Sequence, residues 1–157
     1  MAAFQRNSYL PFYRVEVNML LSKVCIVAGG ILSLFMVVFH SRFYKMFDWG
    51  KDFKKIRFRN QRILYTVHMA LLLLFVVFSF LSFFYVDELS RASGLAQGLL
   101  VMYSLFWLWR ALWQVIYFRA PKEGGAGKMP PVHYVLVIVF ALLFFVYLVP
   151  VVLRHAG

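Results

Sequence analysis

The stretch Ile63–Val86, ILYTVHMALLLLFVVFSFLSFFYV, contains no Asp, Glu, Lys or Arg. A helix rises 1.5 Å per residue, and ~20 apolar residues cross a hydrocarbon core of ~30 Å. Three further runs, Met19–His40, Leu95–Phe118 and Val132–Leu153, have similar length and character. In lipid the backbone must satisfy its own hydrogen bonds, so a spanning segment is a helix or a strand of a closed barrel. None of the four runs shows the apolar/polar alternation of a barrel strand. The chain therefore reads as all-α: an integral membrane four-helix bundle forming one domain over residues 1–157.

Composition agrees. Hydrophobic residues make up 63% of the chain and charged residues 15%, against the roughly half-apolar usage of soluble domains. The net charge of +11 would suggest nucleic acid in a soluble protein. Here the cations sit in short loops beside the spans, so no nucleic-acid partner is expected and the charge is a topology signal. The single Cys25 lies within the first run, which excludes an intrachain disulfide or a CxxC motif and leaves a packing role. No A-x-A-like cleavage site follows that run, so it is read as an uncleaved first helix of a chain that is mature as it stands.

Arg42, Lys45, Lys51, Lys54, Lys55, Arg57, Arg59 and Arg62 lie between the first two spans, against Asp48 and Asp52. Arg119, Lys122 and Lys128 lie between the third and fourth. Short loops rich in Lys and Arg stay cytoplasmic, which puts both termini outside despite Arg6, Arg14 and Lys23. A multi-pass protein of a cell membrane, inner or plasma, is expected. Within the first basic loop Met46, Trp49, Phe53 and Ile56 recur at spacings of three, four and three, while Lys51, Lys54, Lys55 and Arg57 point elsewhere on a helical wheel. The spacing predicts a short interfacial helix, with Trp49 and Phe53 at the membrane surface and the cations over an anionic cytoplasmic leaflet, although Gly50 weakens it. A solvated topogenic loop is the alternative. The second basic connection, Ala120–Pro131, reads as a linker; its Gly-Gly-Ala-Gly-Lys run lacks the spacing of a phosphate loop.

Ionisable residues at membrane depth are costly and are the default candidates for a site. Arg110 lies about eight residues, or ~12 Å, inside the cytoplasmic end of the third span, and Gln114 follows one turn later on the same face. Tyr103 and Tyr117, seven residues to either side, extend that stripe. His68 lies about five residues, or ~8 Å, inside the second span, while His40 ends the first and His133 begins the fourth. Arg110, Gln114, His68, His133 and His40 thus share one level and form the candidate ligand- or partner-binding cluster. His155 belongs to the other end. Structural readings stand beside this one: half-wet imidazoles at helix ends, a histidine joining helices, an arginine snorkelling to a phosphate. No Asp or Glu occurs inside any span, so Arg110 needs an anion from a loop, a lipid, a ligand or another chain. Small residues mark helix contacts at Gly29 and Ser33, continued by Ser22 and His40, and at Gly94 and Gly98.

The sequence contains no intramembrane carboxylate, no Ser/His/Asp set and no H-E-x-x-H, and it calls for no catalytic or metal site and no cofactor. The leading expectation is a non-enzymatic accessory or complex subunit, with a membrane-protein partner or a second copy of itself. One alternative is a redox subunit holding b-type haem or a quinone, with His68 and His133 as haem ligands and Arg110 near a propionate or a quinone oxygen. The other is a small transporter or channel component, which lacks the usual carboxylates and broken helices.

Overall fold

The computed structural model describes the backbone of residues 2–118 and 129–156, and their side chains from Tyr13 onward. The helices are α1 (Ala2–Ser41), α2 (Phe43–Met46), α3 (Trp49–Asp52, running into a 3-10 turn at Phe53–Lys55), α4 (Phe58–Phe84), α5 (Val86–Ser90), α6 (Leu95–Ile116) and α7 (Pro131–Ala156). There is no strand among the described residues. Four segments are long and apolar enough to cross a membrane: Tyr13–Ser41, Phe58–Phe84, Leu95–Ile116 and Pro131–Ala156. Mean hydropathy is lowest, 1.4, in Leu95–Ile116, the span that carries Arg110. The linker Ala120–Lys128 lies outside the described residues.

At 40 residues α1 is about 60 Å long, twice the hydrocarbon thickness, so it begins well before the apolar run that starts at Met19. Large side chains such as Leu20, Ile31, Leu73, Phe84, Leu105 and Phe145 point outward all along the spans. In water a surface of this extent would drive association; against acyl chains it costs nothing.

The interior is assembled from one stripe per helix. On α1 the buried positions Ser22, Ile26, Gly29, Ser33, Met36 and His40 are spaced alternately four and three, the period that keeps one face turned to its neighbours, and Gly30 is buried beside them. That stripe packs against α4 on one side and α7 on the other, and α7 in turn packs on α6. Between α4 and α6 the span is bridged by rings: Phe78 stacks on Tyr103 with centroids 3.9 Å apart, and Phe75 on Trp107 at 5.2 Å. Small residues on α1 admit a large partner from α7. The Tyr147 hydroxyl lies 3.3 Å from Ser33 Oγ and 2.9 Å from Ser82 Oγ, and Ser79 Oγ donates to the Gly30 carbonyl at 3.0 Å. Three helices are thereby joined by hydroxyls in mid-bundle, where no water competes for them.

Side chains near Val15 and Met19 of α1 meet Leu153 and Arg154 of α7, so both ends of the chain's helical part lie at one end of the bundle, away from the basic loop. There Lys23 pairs with Asp87, Arg154 Nη1 donates to the Arg91 carbonyl at 2.8 Å, and Gln97 Nε2 lies 3.0 Å from His155 Nε2. The Lys23 ammonium holds the Asp87 carboxyl below the usual carboxylate range.

One expectation about helix contacts is corrected. Gly94 and Gly98 do not form a helix contact among the described residues: Gly94 precedes α6 at φ +54°, and a Cβ on either residue would meet nothing there within 4 Å. The loop from Phe43 to Arg59 is not one continuous helix. It breaks at Asp48, whose backbone adopts a left-handed conformation (φ 50°, ψ 38°) that Asp tolerates better than most residues. Three short turns result, and they fold back toward α4. Trp49 stacks on Phe53 at 5.0 Å, Phe53 sets its edge on Tyr65 at 4.9 Å, and the Gln61 amide donates to the carbonyls of Phe53 and Ile56. Lys51, Lys54, Lys55 and Arg57 are exposed on the outside of these turns, as is Met46, the first residue of the expected apolar stripe.

Candidate functional site

At the basic end, α6, α7, the end of α1 and the folded loop enclose a cavity of about 480 Å³. Arg110, Gln114, His133, His40 and Asp52 line it, with Phe43, Phe47, Trp49, Phe118, Val132, Leu136 and Phe140 among its apolar walls.

Each polar residue is held by local geometry. Arg110 projects from α6 with its guanidinium carbon 5.2 Å from the Phe140 ring centre and 5.8 Å from that of Trp109. Ring faces offset part of the cost of a desolvated cation, but they are neither counter-ions nor acceptors in the guanidinium plane. Its Nε is buried and makes no hydrogen bond among the described residues. One turn on, Gln114 is buried and its Nε2 donates to His133 Nδ1 at 3.1 Å, tying α6 to the first turn of α7. On α1, His40 Nδ1 donates to the Met36 carbonyl at 3.0 Å, so the buried His40 ring is fixed and its Nε2 is left as the free nitrogen.

Neither acid of the basic loop serves Arg110. Asp52 accepts from Lys55 at 3.0 Å and Asp48 pairs with Lys51, each one turn away. Among the described residues the third ion pair is Lys23–Asp87 at the opposite end, so Arg110 has no carboxylate within salt-bridge distance. The cavity thus presents a guanidinium edge, an amide, two imidazoles and the Lys55-paired carboxylate of Asp52 among rings and aliphatic walls.

The structure brings four of the five expected residues together: Arg110, Gln114, His133 and His40. His68 does not line the cavity. It sits behind the wall, with its ring 6.3 Å from His40, 6.0 Å from Phe43 and 5.1 Å from Trp49. A bis-histidine haem site would need His68 and His133 on one cavity, and only His133 is there. Among the described residues no group of three or more His, Cys, Asp or Glu converges as a metal site. Tyr117 leaves the expected seam: it stacks on Trp113 at 4.9 Å and is exposed. Tyr103, at the other end of that seam, is buried against Phe78 and Tyr147, and both its hydroxyl and Trp107 Nε1 lack a partner in the core.

Sequence reasoning missed the Ser33–Tyr147–Ser82 knot. Its local signals are Ser33, a marker of helix contact, and a tyrosine within the most apolar span; their pairing is not local, since the serines lie 114 and 65 residues from Tyr147. It also missed the role of Phe43 and Trp49 as a cover between His68 and the cavity. Comparison of the chain with protein-family models, with curated proteins and with solved structures finds no match to any of them.

Proposed function

We propose that this chain is a multi-pass protein of a cell membrane that acts by binding, as an accessory factor or complex subunit, through the cavity at its basic end. That end faces the cytoplasm, a reading supported by the concentration of Lys and Arg in the two loops there. The segment from Phe43 to Arg59 lies on the membrane surface, with Lys51, Lys54, Lys55 and Arg57 toward anionic headgroups.

The observation that carries this reading is Arg110. A buried charge without a partner is strongly unfavourable, and the loop carboxylates that could have neutralised it are engaged by lysines. The remaining sources of an anion lie outside the described residues: a lipid, a small ligand, a carboxylate of another chain, or Glu123 in the α6–α7 connection. A neutral quinone would leave the charge uncompensated, so an anionic group is favoured over a quinone. The test is the mass of the detergent-solubilised protein, wild type against Arg110→Leu. The wild type is expected to carry a bound species that Arg110→Leu loses while inserting normally. Arg110→Lys should keep part of it, because charge survives without the planar fork. An unchanged bound complement in Arg110→Leu contradicts the proposal, and a Soret band in the purified wild type would replace it with the haem reading.

A further inference from the structure

We infer that the anionic group taken up at Arg110 is the phosphodiester of an anionic glycerophospholipid from the same leaflet. This rests on the binding reading above and adds the identity of what is bound.

The first argument is the chemistry of the walls. The polar groups of the lining are Arg110, Gln114, His133, His40 and Asp52, whose charge is already met by Lys55, while Phe43, Leu136 and Phe140 supply apolar surface. A free inorganic phosphate in such a site would bury several charged oxygens against rings, each one an unsatisfied acceptor. A phosphodiester carries one negative charge on two free oxygens, which matches the fork formed by the unpartnered Nε–H and a terminal N–H of Arg110. Its ester carbons and glycerol would cover the apolar walls. At about 480 Å³ the cavity is within the range that encloses small organic molecules, well beyond what a bare anion fills.

The second argument is position. Arg110 is six residues from the end of α6, about 9 Å, a depth just below the headgroup layer. Basic pockets between spans at the cytoplasmic side are suited to lipid headgroups, and surface cations raise the local concentration of anionic lipid. Lys54 and Arg57, exposed on the neighbouring turns, supply that field. A carboxylate from a partner protein would have to be threaded between α6, α7 and the loop, whereas a lipid is already at this depth in the bilayer.

The experiment is native mass spectrometry of the full chain in detergent, titrated in turn with phosphatidylglycerol, phosphatidylcholine and inorganic phosphate. Both headgroups carry the phosphodiester, but the choline ammonium of phosphatidylcholine brings a second cation beside the guanidinium, so wild type is expected to hold one phosphatidylglycerol about tenfold more tightly than phosphatidylcholine. Inorganic phosphate should neither bind nor displace it. Arg110→Leu should erase the preference and Arg110→Lys keep part of it, which separates loss of the site from loss of the fold. The pair Lys54→Gln and Arg57→Gln should thin out the additional lipid adducts yet leave the preference for the first.

Displacement of the lipid by inorganic phosphate would mean a free-anion site and overturn the inference. So would a lipid that binds only once Glu123→Gln is introduced, since Arg110 would then be held by that carboxylate. If the two lipids bind equally while Arg110→Leu still sheds a protein partner, the lipid identity fails and the binding reading stands. If Arg110→Leu loses nothing at all, both fail.

Discussion

Gly29→Ala is expected to destabilise the bundle by about 2 kcal/mol, within the range of overpacked cores, although the same change in an exposed helix gains about 1 kcal/mol from helix propensity. The sign reverses because a Cβ at Gly29 would lie 2.6 Å from Tyr147 Cζ and 3.0 Å from its hydroxyl oxygen, well inside van der Waals contact. The end of a tyrosine ring can often move aside, but this one is fully buried, edge-on to Tyr103 at 5.0 Å, with its hydroxyl between Ser33 and Ser82. Shifting it gives up those hydroxyl contacts as well as the ring packing. The check is a double-mutant cycle with Tyr147→Leu, read as detergent-solubilised thermal stability. Removal of the ring end should make Gly29→Ala nearly neutral. Equal costs in both backgrounds would show that the close approach of α1 and α7 is not what Gly29 provides.

The double substitution Trp49→Ser with Phe53→Ser is expected to raise tryptic cleavage of the basic loop about a hundredfold in vesicles that expose it. The turns α2 and α3 contain no buried residue and no side-chain cap, so little of their order is intrinsic. What anchors them is the Trp49–Phe53 stack against His68 and Tyr65, together with the Gln61 hydrogen bonds. Two partly buried aromatic side chains and their ring pairs contribute about 3 kcal/mol, which converts to roughly a hundredfold in the population of the open segment. Lys51, Lys54 and Lys55 are then available to trypsin. Cleavage of the wild-type loop at the rate of the double variant would contradict an anchored loop.

The helical spans were legible because lipid imposes a one-dimensional rule on length and hydropathy. The inward face of α1 was legible too, since small residues at Gly29 and Ser33 make sense only where another helix comes close. The same rule misleads at Gly98, where the open space faces away from the bundle. Depth along a helix can be counted from its end, and that places His40, His68, Arg110 and His133 on one level. Azimuth cannot be counted in this way, because it depends on which helices are neighbours. His68 therefore shares a depth with the cavity but sits behind Phe43 and Trp49. The break at Asp48 escapes a periodicity argument, which assumes an uninterrupted helix and says nothing of a residue entering the left-handed region. The polar start of α1 before Met19 escapes a hydropathy argument for the opposite reason: it is helical without being apolar.

The central claim, that Arg110 faces a cavity reached from the basic end and not the surrounding lipid, is tested most directly by thiol accessibility. In a Cys25→Ser background, Arg110→Cys and His133→Cys would be compared with Trp109→Cys and Trp113→Cys, whose native side chains are half exposed on the outer surface of α6. Charged, membrane-impermeant methanethiosulfonates react with thiolates, which form only where water or a compensating charge reaches the sulfur. The account predicts fast modification at positions 110 and 133 from the cytoplasmic side alone, slowed by phosphatidylglycerol at 133, where Arg110 is kept, with little reaction at 109 and 113. Inert thiols at 110 and 133, or modification of them from the opposite face, would contradict it.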